Sequence, residues 1–451
     1  VKKKVAILSY YFPPMGMGGT QRVAKFSKYL PDFGWQPYVV TVKPVFYYAQ
    51  DASLLDELAE IPIFRTGSLD PLRLLQILKK SPPAAPNPTP VQSGWKSSRL
   101  IKFLNDVLGG WLLIPDTKVL WLPFAIFRTA RLIRQEQIEM IFTTSPPQSV
   151  HLAGLLLKKL LRVKWVADFR DEWTGGESQA SPTKLHTAIN RALERIVLRN
   201  ADAVIGISDR LMLNLQMKSG RRPNHFTTIR NGFDAADLAH PDVFPPAAPF
   251  TILHCGSLSK VSQPGPFLQA IAGLYEAKPE LRDKIKIRFV GTDIFGQLPP
   301  LIEQYQLAEN IEIIRYVPHR EAVKKLFEAH VLLLLVIKSS QEEIITGKVF
   351  EYLASGRPIL AIIPPGELAE MIAVARAGTL LDFQNIPQIQ QTILKYYQQH
   401  LEGTLAAQAD ASVVQFERKY LTGILGNIMN RLIEEGDSLE NQVARTPGAL
   451  G

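Results

Sequence analysis

The chain has 451 residues, 46% apolar and 21% charged, with 33 Pro, a single Cys and a formal net charge of +9. That length exceeds one ordinary hydrophobic core and suits two large domains. The lone Cys255 excludes an intramolecular disulfide and a cysteine-based metal cluster and fits a reducing compartment, and no run of about 18 apolar residues exists to span a membrane.

The charge is lopsided. Residues 1–240 hold 32 Lys and Arg against 19 Asp and Glu, a balance of +13, whereas the remainder holds 19 against 23, or −4. The first half is therefore expected to meet something anionic: a phospholipid surface, a pyrophosphate-linked substrate or nucleic acid. The plainer alternative is a slightly basic solvated surface. Nucleic acid has charge alone in its favour, because no aromatic–basic platform accompanies it.

The opening, VKKKVAILSYYFPP, is basic and then apolar. Its apolar run is too short, and Pro13 and Pro14 come too soon, for a secretory signal. The strand expected at 5–10 runs into PPMGMGGTQR, where Gly16, Gly18 and Gly19 let a ligand approach the main chain ahead of a helix beginning near Thr20. This is not the dinucleotide fingerprint, whose third glycine would fall at Gln21. A plain glycine turn is the ordinary reading, but three glycines after the first strand of an α/β domain favour binding. A strand at 38–42 follows. Residues 81–95 read as a Pro-rich loop. Residues 100–134, rich in Leu, Trp and Phe and edged by Arg and Lys, read either as a core lid or as a segment lying on a membrane surface.

Further strands are expected at 140–145, 164–169, 202–208 and 226–231, and, after a Pro- and Ala-rich seam at 234–250, at 251–256, 286–291, 311–316, 330–336 and 358–363. Their apolar runs are continuous rather than alternating, as in strands buried on both faces of a parallel sheet, and helical patterns such as 21–30 and 321–329 lie between them. Two such blocks mean two doubly wound α/β domains. They are expected at 1–240 and 248–412, with a helix at 413–435 returning to the first and a polar, disordered tail at 436–451.

The chemistry-bearing residues gather at strand ends. TTSPPQSVH (143–151) and DFRDEW (168–173) place Thr144, Ser145, His151, Asp168, Arg170 and Asp171 near carboxyl ends, where ligands of open α/β sheets sit. A histidine there is as often structural as catalytic. No Asp-x-Asp and no ligand-spaced His, Cys and carboxylate cluster occurs, so metal dependence is not expected. In SQEEIITGKVFEYLASGRPIL (340–360), a helix starting at Thr346 or Gly347 makes a phosphate site together with Lys348. Glu351, one turn inside, suits a neutral diol such as a ribose, and Glu343, before the turn, a second polyol. Phosphate flanked by two diols describes a nucleotide sugar. The bland alternative is an exposed helix with incidental charges.

In order along the chain, these stretches resemble the family 4 glycosyltransferases, retaining sugar transferases of the GT-B fold. The likeness covers roughly residues 4–425 through GMGGTQR, TTSPPQSVH, DFRDEW, ADAVIGISDRL, TIRNGFD, HCGSL, FVGT and a Glu-x7-Glu motif formed by Glu343 and Glu351. It implies two Rossmann-like domains facing a central cleft. It also implies a nucleotide-diphosphate sugar as co-substrate, no cofactor, no metal, and a polysaccharide or lipid-linked acceptor. The location implied is cytoplasmic, peripheral on the inner face of a membrane.

Carried over by position, Glu351 would bind the ribose, Glu343 the transferred sugar's hydroxyls, and Lys348 with the Gly347 backbone the pyrophosphate. Gly18 and Gly19 would approach the donor phosphates, with Gly256 on the donor side. His151 and Asp171 would stand near the reacting carbon, and Gly16, Arg22, Ser145, Asp168 and Arg170 on the acceptor side. One departure stands out. Where the family carries an Arg, often with a following Lys, this chain reads Gly256–Ser257 with Lys260 the only nearby cation. Either Lys260 neutralises the leaving diphosphate or that site is weakened. The alternatives are a non-catalytic or weakly active relative and an epimerase. A phosphorylase is disfavoured because no lysine is placed as a pyridoxal phosphate anchor.

Overall fold

The computed structural model describes residues 2–16, 18–45, 51–70, 73, 111, 113–175, 182–238, 243–259, 261–315, 317–336, 345–405 and 411–444. Glu343, Lys260 and the Pro-rich stretch at 81–95 lie outside the described residues. The chain divides into two units, Val1–Arg230 with Arg418–Gly451, and Asn231–Glu417.

In the first unit, β1 (Lys3–Leu8), β2 (Trp35–Val42), β3 (Ile63–Thr66), β4 (Met140–Ser145), β5 (Lys164–Phe169), β6 (Ala203–Gly206) and β7 (Phe226–Thr228) form one sheet in the order β3-β2-β1-β4-β5-β6-β7. Every pairing is parallel. Its helices are α1 (Gly18–Tyr29), α2 (Leu122–Glu136), α3 (Ser149–Leu161), α4 (Lys184–Asn200) and α5 (Asp209–Ser219). Successive strand residues point to opposite faces. Ala6 and Leu8 pack with α2 to α5 through Leu132, Ala153, Leu157, Val197 and Leu215, whereas Val5 and Ile7 pack with α1 through Val23 and Phe26.

The second unit repeats the plan. β8 (Phe250–Cys255), β9 (Ile285–Val290), β10 (Ile311–Ile314), β11 (Val331–Leu335), β12 (Ile359–Ile362) and β13 (Gly378–Leu381) make an all-parallel sheet ordered β10-β9-β8-β11-β12-β13. Its helices are α6 (Gly265–Ala277), α7 (Leu298–Gln304), α8 (His319–Phe327), α9 (Lys348–Ser355), α10 (Glu367–Val374) and α11 (Ile386–Leu401). The faces alternate again, with Leu332 and Leu334 against α8, α9 and α10 and Leu333 and Leu335 against α6, α7 and α11. The last helix, α12 (Arg418–Ala444), belongs to the first unit and buries Leu421, Leu425 and Met429 beside Val23 and Phe26 of α1. In each sheet the strand order reverses at one point, between β1 and β4 and between β8 and β11. A doubly wound sheet binds its ligand at the carboxyl ends beside such a reversal.

The structure departs from the sequence reading in four places. β3 and β13 were not expected, because both are short edge strands, half-exposed over most of their length, without a continuous apolar run. The seam falls at 230/231, ahead of 234–250, because the Phe233 N–H donates to the Phe416 carbonyl (3.1 Å) and holds this segment to the second unit. Helix α12 continues to Ala444, into the stretch read as a disordered tail. Its Leu, Glu, Gln and Ala residues propagate a helix already nucleated by packing.

Of the 100–134 segment, finally, the described part is buried in places and exposed in others. Trp121 is fully buried, its indole N–H on the Thr66 hydroxyl (2.7 Å) and its ring edge-on to Tyr10. In α2 the buried Leu122, Ala125, Thr129, Leu132 and Ile133 form one helical stripe, leaving Phe124 and Phe127 facing outward. Trp111 is exposed, Leu113 is half-buried and Leu112 lies outside the described residues.

Candidate functional site

In the first unit, β1 leads through Gly16 to the first turn of α1, which holds Gly18 and Gly19 and no acidic residue. Arg22, one turn in, is buried against the equally buried Asp168 at the end of β5. Its Nε and Nη2 donate to the carboxylate at 2.9–3.2 Å, and Nη1 donates to the Arg230 carbonyl at 2.9 Å. The Thr144 hydroxyl also donates to Asp168, at 2.7 Å. Both residues are thus engaged inside the unit, where they bolt α1 to two strands.

Arg170 does similar work. Its Nε donates to the Ser145 carbonyl (2.7 Å), Nη2 to the Pro146 carbonyl (2.9 Å) and Nη1 to the Gly19 carbonyl. A side chain at position 19 would meet that guanidinium, since an added Cβ would lie 2.7 Å from Nη1. This close approach gives Gly19 a reason internal to the protein. Asp171, next along, is exposed.

His151 sits fully buried in the first turn of α3, stacked on Phe169 with ring centroids 4.2 Å apart. Its Nδ1 lies 2.8 Å from the Thr143 hydroxyl, which already accepts from the Trp165 indole at 2.8 Å. The hydroxyl can either donate to Nδ1 or accept from it with its second lone pair, so the contact holds the ring in place under either tautomer. Burial pushes the His151 pKa down to about 3, so the ring is neutral. Among the described residues, Nε2 has no hydrogen-bond partner, and neither does the buried Ser145 hydroxyl or the Gln148 side-chain amide. An unpaired buried polar group costs about 1–3 kcal/mol, so these three within seven residues call for polar partners, which water or a ligand could supply. The first N–H of α3 is not available to that ligand, because Asp116 accepts it at 2.9 Å together with the Ser149 hydroxyl at 2.8 Å. Gln148 and Asp116 escaped the sequence reading. The turn PDTK was the only signal for the second.

In the second unit the same position, beside the β8–β11 reversal, is built around Lys348, the first residue of α9. β8 is followed by Gly256, whose φ of +124° is a conformation that favours glycine, and the Lys348 side chain lies across it. An added Cβ on Gly256 would stand 2.9 Å from the lysine Cε. The ammonium is 3.1 Å from His254 Nε2 and 3.5 Å from the Ser257 carbonyl. The buried His254 holds its Nδ1 3.0 Å from the Leu333 carbonyl, so Nδ1 carries the hydrogen and Nε2 accepts from the lysine. No carboxylate pairs with Lys348 among the described residues. Burial lowers its pKa to about 8 and, with the Lys348 charge, holds His254 well below its ordinary value.

One turn further, Tyr352 pins α9 to the strand, its hydroxyl accepting from the Cys255 N–H at 2.8 Å. Glu351 is partly exposed and lies 2.7 Å from His319 Nε2, whose other nitrogen is 3.7 Å from Asp237. The buried Thr346 hydroxyl has no partner among the described residues, and the position of a Gly347 Cβ is open space. His254, His319 and Asp237 had no spacing signal in the sequence. Glu343 and Lys260 lie outside the described residues. Among those residues no group of His, Cys, Asp or Glu could hold a metal, and no helix is long and apolar enough to cross a membrane.

Two doubly wound units, each with polar groups gathered at its strand-order reversal, define the GT-B class of fold. Residues 18–232 match the family model described as a glycosyl transferase 4-like domain, and residues 238–409 the one described as glycosyl transferases group 1. Together they take in most of the chain, which belongs to the glycosyltransferases.

Similar solved structures include a sucrose-phosphate synthase from Thermosynechococcus elongatus (15% identity, TM-score 0.64, covering 96% of this chain and 100% of that one). Others are HepE from Anabaena with UDP and glucose (14%, 0.62, 95% and 100%) and a putative UDP-N-acetylglucosamine 2-epimerase from Listeria monocytogenes (12%, 0.55, 96% and 98%). At such identities the likeness speaks for the fold. No curated protein matches the chain in sequence.

Proposed function

We propose that the protein transfers a sugar from a nucleotide-diphosphate donor to a polysaccharide or lipid-linked acceptor, with retention of configuration and without a metal. The observation that carries this reading is Lys348, a cation at a helix N-terminus beside a strand-order reversal, held among the described residues by neutral acceptors rather than by a carboxylate. A diphosphate would supply the missing negative charge. Lys348 and the first amides of α9 bind it, and their hold strengthens as the bond to the sugar breaks and charge builds on the leaving phosphate. Glu351 accepts from the ribose hydroxyls with His319 fixing its orientation, and Glu343 takes hydroxyls of the transferred sugar. The neutral His151 presents its Nε2 to a sugar hydroxyl, in company with Ser145 and Gln148, and supplies no positive charge. With Lys348 in place, the loss of the family's arginine at Ser257 weakens the diphosphate site without abolishing it.

The test is donor binding by calorimetry and transfer of labelled sugar from a panel of nucleotide-diphosphate sugars, with a metal chelator present. Glu351→Ala should weaken donor binding by about 1.5–3 kcal/mol while leaving the thermal unfolding transition in place. Unchanged affinity would remove Glu351 from the site. The likeness to an epimerase names a second reading. Release of an epimerised nucleotide sugar or free epimer, with none incorporated into acceptor, would favour it. Binding with neither outcome would mark a non-catalytic relative.

A further inference from the structure

A helix usually starts on Ser, Thr, Asp or Asn, whose short side chain accepts from the first free amides. Helix α3 starts on Gln148, which makes no such bond. Its cap is supplied by Asp116, 33 residues earlier, whose carboxylate accepts the Ser149 N–H at 2.9 Å and the Ser149 hydroxyl at 2.8 Å. The Lys118 N–H, at 2.9 Å, holds that carboxylate in turn. Gln148 is thereby relieved of any part in starting the helix. It is nevertheless only 3% exposed, and neither its Nε2 nor its Oε1 has a hydrogen-bond partner among the described residues. The Ser145 hydroxyl and His151 Nε2, three residues to either side, are in the same state. The cations nearby are answered within the unit. Arg22 pairs with Asp168, Arg170 donates to three backbone carbonyls, and Lys118 has Asp70 and Asp116 as counter-charges.

We propose that Gln148 is a specificity-determining residue of the first unit, its amide reading neutral sugar hydroxyls, and that Asp116 is the residue that positions it. The inference rests on the transferase reading above and adds the chemistry of the group bound. A hydroxyl both donates and accepts, so a sugar hydroxyl or a neighbouring pair satisfies both ends of the amide, whichever way round the amide lies. A carboxylate or phosphate only accepts. It would take the Nε2 hydrogens, leave Oε1 buried and unpaired, and find no unanswered cation beside it. A site built to hydrogen-bond a hydroxyl rejects analogues that lack it, because its own polar groups are then stranded. Asp116 makes this arrangement possible. By capping α3 from outside, it lets the N-cap position carry a long amide in place of a short capping side chain.

The experiment offers the full chain UDP-glucose, UDP-galactose, UDP-N-acetylglucosamine and GDP-mannose over an array of glycans. Donor and terminal acceptor sugars are each supplied as the neutral form and as the uronate or phosphate ester. Gln148→Leu should lower transfer about tenfold. A rise in the acceptor KM places the hydroxyls on the acceptor, and a rise in the donor KM places them on the transferred sugar. For that substrate the parent should prefer the neutral form at least about tenfold, and the variant should lose the preference. The midpoint of urea unfolding should stay or rise in Gln148→Leu, since the amide has no internal partner to lose. Asp116→Ala should raise the same KM as Gln148→Leu, yet add little further loss of transfer to a Gln148→Leu chain, whereas a merely structural residue would add its full effect. Equal use of neutral and anionic forms would overturn the inference. So would parental transfer by Gln148→Leu, which would leave the amide to water alone, or a lowered midpoint, which would make it structural. If no nucleotide sugar binds or transfers, the transferase reading fails and this inference with it. A donor that binds while Gln148→Leu transfers like the parent removes this inference alone.

Discussion

Each unit places a cation near the strand-order reversal of the same kind of sheet, and the two are treated in opposite ways. Arg22 in the first unit is buried in a bidentate pair with Asp168 and has a third bond to a backbone carbonyl. Lys348 in the second is held by an imidazole nitrogen and a carbonyl, which orient its charge without cancelling it. A neutralised cation is architecture. One held by neutral acceptors keeps its charge for something else. Their partners tell the two roles apart.

The comparison breaks most visibly through stability. Asp168→Ala leaves Arg22 charged and unpaired in the interior and should cost about 3–5 kcal/mol in urea unfolding. Arg22→Met together with Asp168→Leu should recover most of that loss. A small effect of the single change would mean that the pair is not architectural.

Lys348→Met should do the reverse. Turnover is expected to fall on the order of a hundredfold, with unfolding free energy within about 1 kcal/mol of the parent. If stability collapses while residual turnover survives, the contrast between the two cations is lost.

pH sharpens the same point. Because the Lys348 pKa is about 8, kcat/KM should decline as the pH rises through 8 and the ammonium loses its proton, and Lys348→Arg should move that decline upward. The linkage sign is fixed. Between about 8 and the ordinary lysine value, the unfolded chain holds a proton the folded one has released, so stability rises with pH across that window. The parent should show this rise relative to Lys348→Met, and parallel curves would mean an unperturbed lysine.

The smallest expected effect is at His254. His254→Leu removes an acceptor from Lys348 and should lower kcat several-fold with little change in KM, and His254→Gln, whose amide oxygen can accept, should restore part of it. Equal loss in both variants would indicate a packing role alone.

Much of this was readable in the chain. The continuous apolar runs marked the buried parallel strands, and ITGKVFEYL marked a helix start with a cation in its first turn and Glu351 one turn on. What escaped was whatever depends on distant partners. Arg22 and Asp168 are 146 residues apart, His254 and Lys348 94, and neither pairing has a spacing that a pattern could reveal. The edge strands β3 and β13 escaped for another reason, since half-exposed strands do not need the apolar continuity that announces central ones.

By itself the sequence determined two α/β blocks, their strand-end loops and the residue types at those ends. Period and apolar continuity are local properties of the chain, and backbone hydrogen bonding turns them directly into strands and helices. Only the tertiary structure decided which charges are cancelled and which nitrogen of the His254 imidazole carries the hydrogen. Those outcomes depend on the strand order. By inserting β1 between β2 and β4 and β8 between β9 and β11, the crossovers bring remote side chains within hydrogen-bond distance, where burial and partner chemistry set each group's charge.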